Sequence, residues 1–180
     1  PNAGILYIVE DQTGNRNTYL NPGYGGQAYD AEAMYLTWDT NNLYLGLITG
    51  HDPLMLTANG NYGGGDFAID FGRNGSWEFG VLTKNRSNTL SVGDIVSTSN
   101  ANWAKGLWAS PGHTGPSTMV THVNSGTEVG TATVVWNEII GYMGNLGATG
   151  SSRDKHWFYE VAIPVSAFGS VLGFNRTVDV

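Results

Sequence analysis

Hydrophobic and polar residues alternate along two neighbouring stretches near the start of the chain. Every second residue is large and apolar in Glu32–Asp39, and three leucines share one face of Leu43–Thr49. A period of two residues predicts β-strands. The Asp-Thr-Asn-Asn sequence between the two stretches suits a tight turn, because Asn and Asp tolerate positive φ. The segment Tyr29–Pro53 therefore predicts a β-hairpin with acidic residues at its open end.

A second hairpin is predicted from the same kind of alternation. Phe67–Phe71 and Trp77–Val81 each place aromatic or β-branched residues at every second position. Asn-Gly at positions 74–75 is one of the strongest short signals for a hairpin turn. Pairing across this turn would set Ile69 beside Phe79 on an aromatic core face.

The remainder of the chain continues as short strands separated by turn residues. Further strands are predicted at Gly4–Glu10, Leu90–Val96, Ser117–Val123, Thr127–Trp136, Lys155–Ile163 and Arg176–Val180. Asn102–Gly115 is predicted to be a long loop, and Pro164 and Gly169 bracket one short helical turn. Nine or ten strands with almost no helix predict an all-β fold, a single antiparallel β-sandwich of jelly-roll or immunoglobulin-like type over residues 1–180.

Composition and charge narrow the classes of partner. The net charge is −7 with only eight Lys and Arg, which argues against nucleic acid as a partner. No apolar run approaches the roughly 20 residues of a membrane-spanning helix, so no membrane span is predicted. Cysteine is absent, which excludes disulfides and thiolate chemistry. Few lysines among many Asn, Gly, Ser and Thr suggest a secreted, extracellular protein. A chain that starts at Pro1 reads as a processed or excised domain.

Three segments resemble a known group of sandwich domains. These are YDAEAMYLTWDTNNLYLGLITGHDP, GGGDFAIDFG and FYEVAIPVSAFG. Together they resemble carbohydrate-binding module family 9 and DOMON domains, and they are similar to secreted bacterial proteins of the PEP-CTERM-sorted kind. The resemblance implies a secreted, non-catalytic sandwich that is often stabilised by calcium. It implies no particular ligand.

A cation site is predicted at the open end of the first hairpin. A turn centred near Asn41 would set Asp30 opposite Asp52, with Glu32 close to both. Like charges that face each other across a strand pair are unfavourable unless they are neutralised. Ca²⁺ bound by these carboxylates is the usual remedy. The alternative is that the three acids are simply solvated at one end of the sandwich.

Four aromatic residues lie in predicted loops rather than in alternating strands. They are Tyr24, Tyr62, Trp103 and Trp108. Exposed rings beside Asn and Asp can stack on sugars and bind their hydroxyls, so these four residues form a candidate ligand platform. The favoured alternative is that they cover the core or pack an interface, since large aromatic residues in Gly-rich loops often anchor those loops.

No catalytic motif stands out, and the ends of the chain suggest a different role. Gly4–Glu10 and Arg176–Val180 are predicted to lie at sheet edges, where unpaired strands recruit other chains. We therefore predict a non-enzymatic structural or adhesive subunit of a cell-surface or matrix assembly, stabilised by Ca²⁺. Its partners would be copies of itself, with a filament built by strand exchange as one form of assembly. The alternative is a module that binds polysaccharide through the loop aromatics.

Overall fold

The described part of the protein is built almost entirely from antiparallel β-strands. The computed structural model describes residues 4–9, 31–53, 65–86, 89–105, 120–139 and 156–171. Within these residues the strands are β1 (Leu6–Val9), β2 (Ala31–Trp38), β3 (Asn42–Thr49), β4 (Phe67–Ile69), β5 (Phe79–Val81), β6 (Asp94–Ser97), β7 (Trp103–Lys105), β8 (Val120–Val123), β9 (Thr127–Thr131), β10 (Thr133–Ile139) and β11 (His156–Pro164). Two short 3-10 segments occupy Asn100–Asn102 and Val165–Val171.

The strands form three sheets. A five-stranded sheet has the order β1-β2-β3-β11-β10, a four-stranded sheet has the order β4-β5-β6-β9, and β7 pairs with β8. Every pairing is antiparallel. The sheets pack together as an all-β sandwich, which confirms the predicted fold class with eleven strands rather than nine or ten.

The main core lies between the five-stranded and four-stranded sheets. Its buried residues are Leu43, Leu45, Phe67, Phe79, Val81, Ile95, Ala132, Val161, Ile163, Ala167 and Phe168. Three phenylalanines meet at one end of this core, where the ring centroids of Phe71 and Phe79 lie 5.0 and 5.1 Å from that of Phe168 in edge-to-face geometry. The short helical turn predicted after Pro164 supplies Phe168, and Gly169 follows it with φ of 57°.

A second, smaller core lies on the other side of the four-stranded sheet. Its buried residues are Leu82, Leu90, Val96, Trp103 and Val123. The β7–β8 pair therefore covers the outer face of the four-stranded sheet. Gly80 in β5 permits the close approach, since a Cβ at that position would lie 2.5 Å from Val123 Cγ2 and 3.0 Å from Trp103 Cζ2. Strand β5 in the four-stranded sheet is thus buried on both faces.

Both predicted hairpins are confirmed. The first is β2–β3, and its turn is held by Asp39, whose Oδ1 accepts hydrogen bonds from the backbone of Asn41 and Asn42 at 2.7 and 2.8 Å. The second is β4–β5, in which Ile69 pairs with Phe79 as predicted. Its ladder is shorter than the alternation suggested, with three residues in each strand.

Two predictions in the middle of the chain are wrong. Thr127–Trp136 is not one strand, because the chain leaves the four-stranded sheet at Ala132 and enters the five-stranded sheet at Thr133. Ala132 marks the crossing, and its N–H donates to Gly93 O at 2.7 Å. Asn102–Gly115 is not loop throughout, since its part Trp103–Lys105 is strand β7.

Some predictions fall outside the described residues. The proposed strand at Arg176–Val180 is one of them. Among the described residues, no helix is long and apolar enough to cross a bilayer.

Candidate functional site

The open end of the first hairpin differs from the predicted arrangement because of a β-bulge. Trp38 pairs with Leu43, which places the ladder one residue away from the predicted register. The register shifts again between Ala31 and Ala33, with Ala31 opposite Thr49. Glu32 is therefore the extra residue of the bulge, which re-aims its side chain. The predicted facing of positions 32 and 50 is wrong, and Asp30 lies outside the described residues.

The Glu32 side chain is in hydrogen-bond contact with a histidine from a distant strand. Glu32 Oε1 lies 2.8 Å from His156 Nε2, and both residues are buried, His156 completely. β3 separates their two strands in the sheet, so the contact spans three strands. A buried carboxylate is tolerated only with such a partner. The sequence showed His156 as one of four scattered histidines, and nothing in its neighbourhood pointed to Glu32.

Asp52 lies on the side of this end that faces Tyr159. Tyr159 donates its hydroxyl hydrogen to His51 O at 3.3 Å. Burial, and then the negative charge of Asp52, raise the pKa of Tyr159 above its ordinary value. Within the described ranges, no group of three or more His, Asp or Glu side chains is placed to hold a metal ion. A calcium site here stays a prediction, and it would need Asp30 or other ligands from outside those ranges.

A second buried carboxylate, which the sequence did not single out, lies between the sheets. The side chain of Asp66 is fully buried and forms an ion pair with Arg86, with 3.1 Å between Oδ1 and Nη2. Asp66 Oδ1 also accepts the Thr83 N–H at 3.0 Å, and Oδ2 accepts the Val123 N–H at 2.9 Å. One side chain thus ties the start of β4 to the segment after β5 and to β8. This satisfied network indicates a structural role.

Two further basic groups surround the Asp66–Arg86 pair. Burial, and then the positive charge of Arg86, lower the pKa values of both Lys84 and His122. Asp66 opposes this effect at both positions. Protonation of Lys84 and His122 is therefore disfavoured, in a protein that is acidic as a whole.

The predicted aromatic platform falls mostly outside the described residues. Tyr24, Tyr62 and Trp108 lie there. Trp103 is described, and it is only 3 % exposed, with its indole N–H donating to Thr98 Oγ1 at 3.0 Å. Its ring packs in the second core rather than facing solvent, which is the alternative weighed for it. Trp103 lies in a short strand close to Gly and Pro residues in the sequence. Its neighbours therefore gave little sign that its ring would be buried.

The edge strand β1 presents apolar side chains to solvent on both of its faces. Exposure of Ile5 and of each β1 residue ranges from 51 % for Val9 to 74 % for Ile8. Leu6 and Ile8 pair with Leu36 and Met34 on the core side of the sheet, yet remain exposed. The opposing sheet therefore covers the central strands of the sandwich but does not cover β1. The sequence predicted an edge position, and among the described strands β1 is the last strand on one side of the five-stranded sheet.

Comparisons with protein-family models, with curated proteins and with solved structures found no match to this chain. The likeness to family 9 carbohydrate-binding modules and DOMON domains therefore stays a resemblance. Functional inference depends on the geometry of the chain itself.

Proposed function

We propose that this protein is a non-catalytic, extracellular structural subunit that associates with copies of itself through the edge strand β1. One observation carries the proposal. An edge strand made of Leu, Tyr, Ile and Val stands with every side chain more than half exposed. Natural edge strands are usually protected by charges, proline, bulges or a covering segment, because they otherwise pair with other chains.

The geometry of β1 suits pairing with a second copy. Within the described residues, β1 is hydrogen-bonded to β2 alone, and no described strand pairs with the other edge of its backbone. Its exposed side chains would add apolar burial to the backbone hydrogen bonds. Twenty-one residues separate Val9 from Ala31, and an extended segment of that length could span up to roughly 70 Å. The same β1–β2 pairing could therefore form between subunits by strand exchange, which costs little because it reproduces the pairing within one chain.

The test is the oligomeric state of wild-type protein and two charge variants. Ile8→Lys places a charge on the exposed apolar strand and should shift assemblies to monomer in light scattering and sedimentation. Lysine at an edge blocks strand pairing, because joining the strands would bury its ammonium group. The free energy of unfolding should change by less than about 0.5 kcal/mol, as expected of an exposed site.

The matched control lies at the opposite edge of the same sheet. Val135 in β10 is 44 % exposed and also belongs to an edge strand. If β1 is the associating edge, Val135→Lys leaves the assembly intact. Wild-type protein that stays monomeric at all concentrations, or assembly lost only in Val135→Lys, contradicts the proposal.

Stabilisation by Ca²⁺ is a further part of the proposal, supported by the acidic open end of the first hairpin. Because Glu32 is already held by His156, Asp52 and Asp30 would be the main carboxylate ligands. Calcium that binds the folded state selectively raises the melting temperature. EDTA should therefore lower the melting temperature of the calcium-loaded protein, and Asp52→Asn should reduce that response. An unchanged melting temperature rejects the cation site.

A further inference from the structure

An aromatic row crosses the outer face of the five-stranded sheet, on the side away from the core. Tyr7 in β1 pairs with Tyr35 in β2, and Tyr35 pairs with Gly46 in β3. The rings of Tyr7 and Tyr35 are stacked, with centroids 6.3 Å apart and planes 27° from parallel. Tyr7 is exposed and Tyr35 is half-buried. The first two strands thus carry adjacent, nearly parallel rings on this side of the sheet.

Gly46 allows the row to continue towards β11. A Cβ at that position would lie 3.0 Å from Cε2 of Phe158 and 3.4 Å from Cβ of Tyr35. The Phe158 ring therefore lies over the glycine and close to Tyr35. Tyr44, also half-buried, is two residues before Gly46 and so shares its face of the sheet. Four rings from four neighbouring strands form this surface, which we call the aromatic face (Tyr7, Tyr35, Tyr44 and Phe158).

Hydrogen-bonding groups lie beside these rings. The Tyr44 hydroxyl donates to Asp39 Oδ2 at 2.9 Å and accepts from Asn42 Nδ2 at 3.2 Å. Asp39 is exposed, and Glu160, which pairs with Gly46 in the ladder, is exposed as well. Rings combined with phenol, carboxylate and amide groups suit a ligand that has both apolar faces and hydroxyl groups.

The charges on and around the aromatic face restrict the kind of ligand that it can bind. Strands β1, β2, β3, β10 and β11 contain no Lys or Arg. The acids nearest the rings, together with a net charge of −7, repel phosphate, sulfate and uronate groups. Surfaces that stack nucleobases combine their aromatic rings with cationic grooves, and this face has none among its strands. A neutral ring-shaped ligand remains.

We propose that the aromatic face binds a neutral polysaccharide chain. Successive sugar rings would stack on Tyr7, Tyr35 and Phe158, and their hydroxyls would bond to the Tyr44, Asp39 and Glu160 side chains. This site differs from the loop aromatics predicted from the sequence. It also does not depend on self-association, since the side chains of the face lie on the flat of the sheet rather than at its hydrogen-bonding edge.

Affinity electrophoresis with defined glycans tests the proposal. The probes are soluble xylan, mixed-linkage β-glucan and galactomannan, with alginate as the anionic comparison. At least one neutral glycan should retard the wild-type protein, and alginate should not. Tyr35→Ala should weaken binding about two- to twelvefold, the range expected for one aromatic contact of about 0.5–1.5 kcal/mol. Tyr35→Phe, which keeps the ring, should retain most of the affinity.

The controls separate loss of binding from loss of folding or of assembly. Met34→Ala changes the neighbouring residue on the opposite face of β2, where Met34 is 41 % exposed, and should bind normally. Tyr7→Ala supplies a second variant at a site too exposed to unfold the protein. The series is repeated in the Ile8→Lys background, so that multivalent binding by assemblies does not raise the apparent affinity.

The proposal would be overturned by the absence of retardation by every neutral glycan, by equal retardation by alginate, or by unchanged binding in both alanine variants. Tyr7→Ala and Tyr35→Ala variants that bind normally but no longer assemble would also overturn it, because they would assign the aromatic face to contacts between copies. Glycan binding by a wild-type protein that stays monomeric would support this proposal while rejecting self-association.

Discussion

The outer faces of the two larger sheets use the same local device with different results. Each has a glycine in the middle of a strand with an aromatic ring over it, Trp103 over Gly80 and Phe158 over Gly46, each at 3.0 Å from the position of a Cβ. On the four-stranded sheet the ring is buried, because β7 and β8 cover that face. On the five-stranded sheet the ring is half-buried and belongs to a surface. A glycine under an aromatic ring therefore does not reveal by itself whether the ring packs a core or faces a ligand.

The cover on the four-stranded sheet is held by charge as well as by apolar contact. The Asp66 carboxylate accepts the Val123 N–H of β8 and also forms an ion pair with Arg86. On the five-stranded sheet the buried Glu32–His156 contact joins two strands of that sheet, and among the described residues no comparable bond ties a covering strand to the aromatic face. This difference explains why one face can be a second core and the other can be a binding surface, and it can be tested from both sides.

The largest effect on stability is expected from removing the Asp66 carboxylate, which ties β8 to the four-stranded sheet. Asp66→Ala leaves the Arg86 guanidinium and the N–H groups of Thr83 and Val123 without their carboxylate, in a site where the Asp66 side chain is fully buried. Breaking a buried pair in this way costs about 3–5 kcal/mol. We expect a loss of that size in the free energy of unfolding, measured by urea denaturation with tryptophan fluorescence.

The control for this variant is Glu160→Ala, which removes an exposed carboxylate from the five-stranded sheet and should change stability by less than about 0.5 kcal/mol. The double variant Asp66→Ala with Arg86→Met should recover part of the loss, because the guanidinium that the Asp66 carboxylate balances is removed as well. A loss below about 1 kcal/mol in Asp66→Ala would show that β8 is held by apolar packing alone.

The alternation of residues predicted the hairpins well and the contacts between them poorly. A period of two, with a turn signal between, is local information, and both β2–β3 and β4–β5 follow from it. The contact of Glu32 with His156 joins residues 124 positions apart, and that of Asp66 with Val123 joins residues 57 apart. A single sequence gives no sign of which distant strands become neighbours. The Glu32 bulge then shifted the one register on which the predicted cation site depended.

The next effect compares the two glycines directly. Gly80→Ala forces a Cβ to within 2.5 Å of Val123 and 3.0 Å of Trp103, both buried. Overpacking of this kind costs about 1–3 kcal/mol. Gly46→Ala meets only the half-exposed Phe158 ring and Tyr35 Cβ at 3.0 Å or more, and the ring can turn towards solvent.

Both substitutions restrict the unfolded chain equally, which favours folding by about 0.4–1 kcal/mol in each case. The difference between the unfolding free energies of the two variants therefore measures the effect of the β7–β8 pair packed over Gly80. Gly80→Ala should be the less stable variant. Equal stabilities would mean that β7 and β8 can move away from the sheet at little cost. Gly46→Ala should also disturb glycan binding if the Phe158 ring has to lie flat.

The smallest expected effect is a pH dependence of stability that arises from His122 in β8, one of the two strands that cover the four-stranded sheet. Burial lowers the pKa of His122, the charges of Arg86 and Lys84 lower it further, and Asp66 and Asn124 oppose them. The folded state thus binds a proton at His122 less readily than the unfolded state, in which the pKa is about 6.5. Stability from this group is complete above that pH and declines as the pH falls through the lower folded value. Wild-type protein should lose more unfolding free energy between pH 7.5 and 5 than His122→Gln, whose side chain does not titrate. Comparing the two proteins cancels the contributions of the other histidines, so an equal loss in both would show that folding does not hinder the binding of a proton at His122.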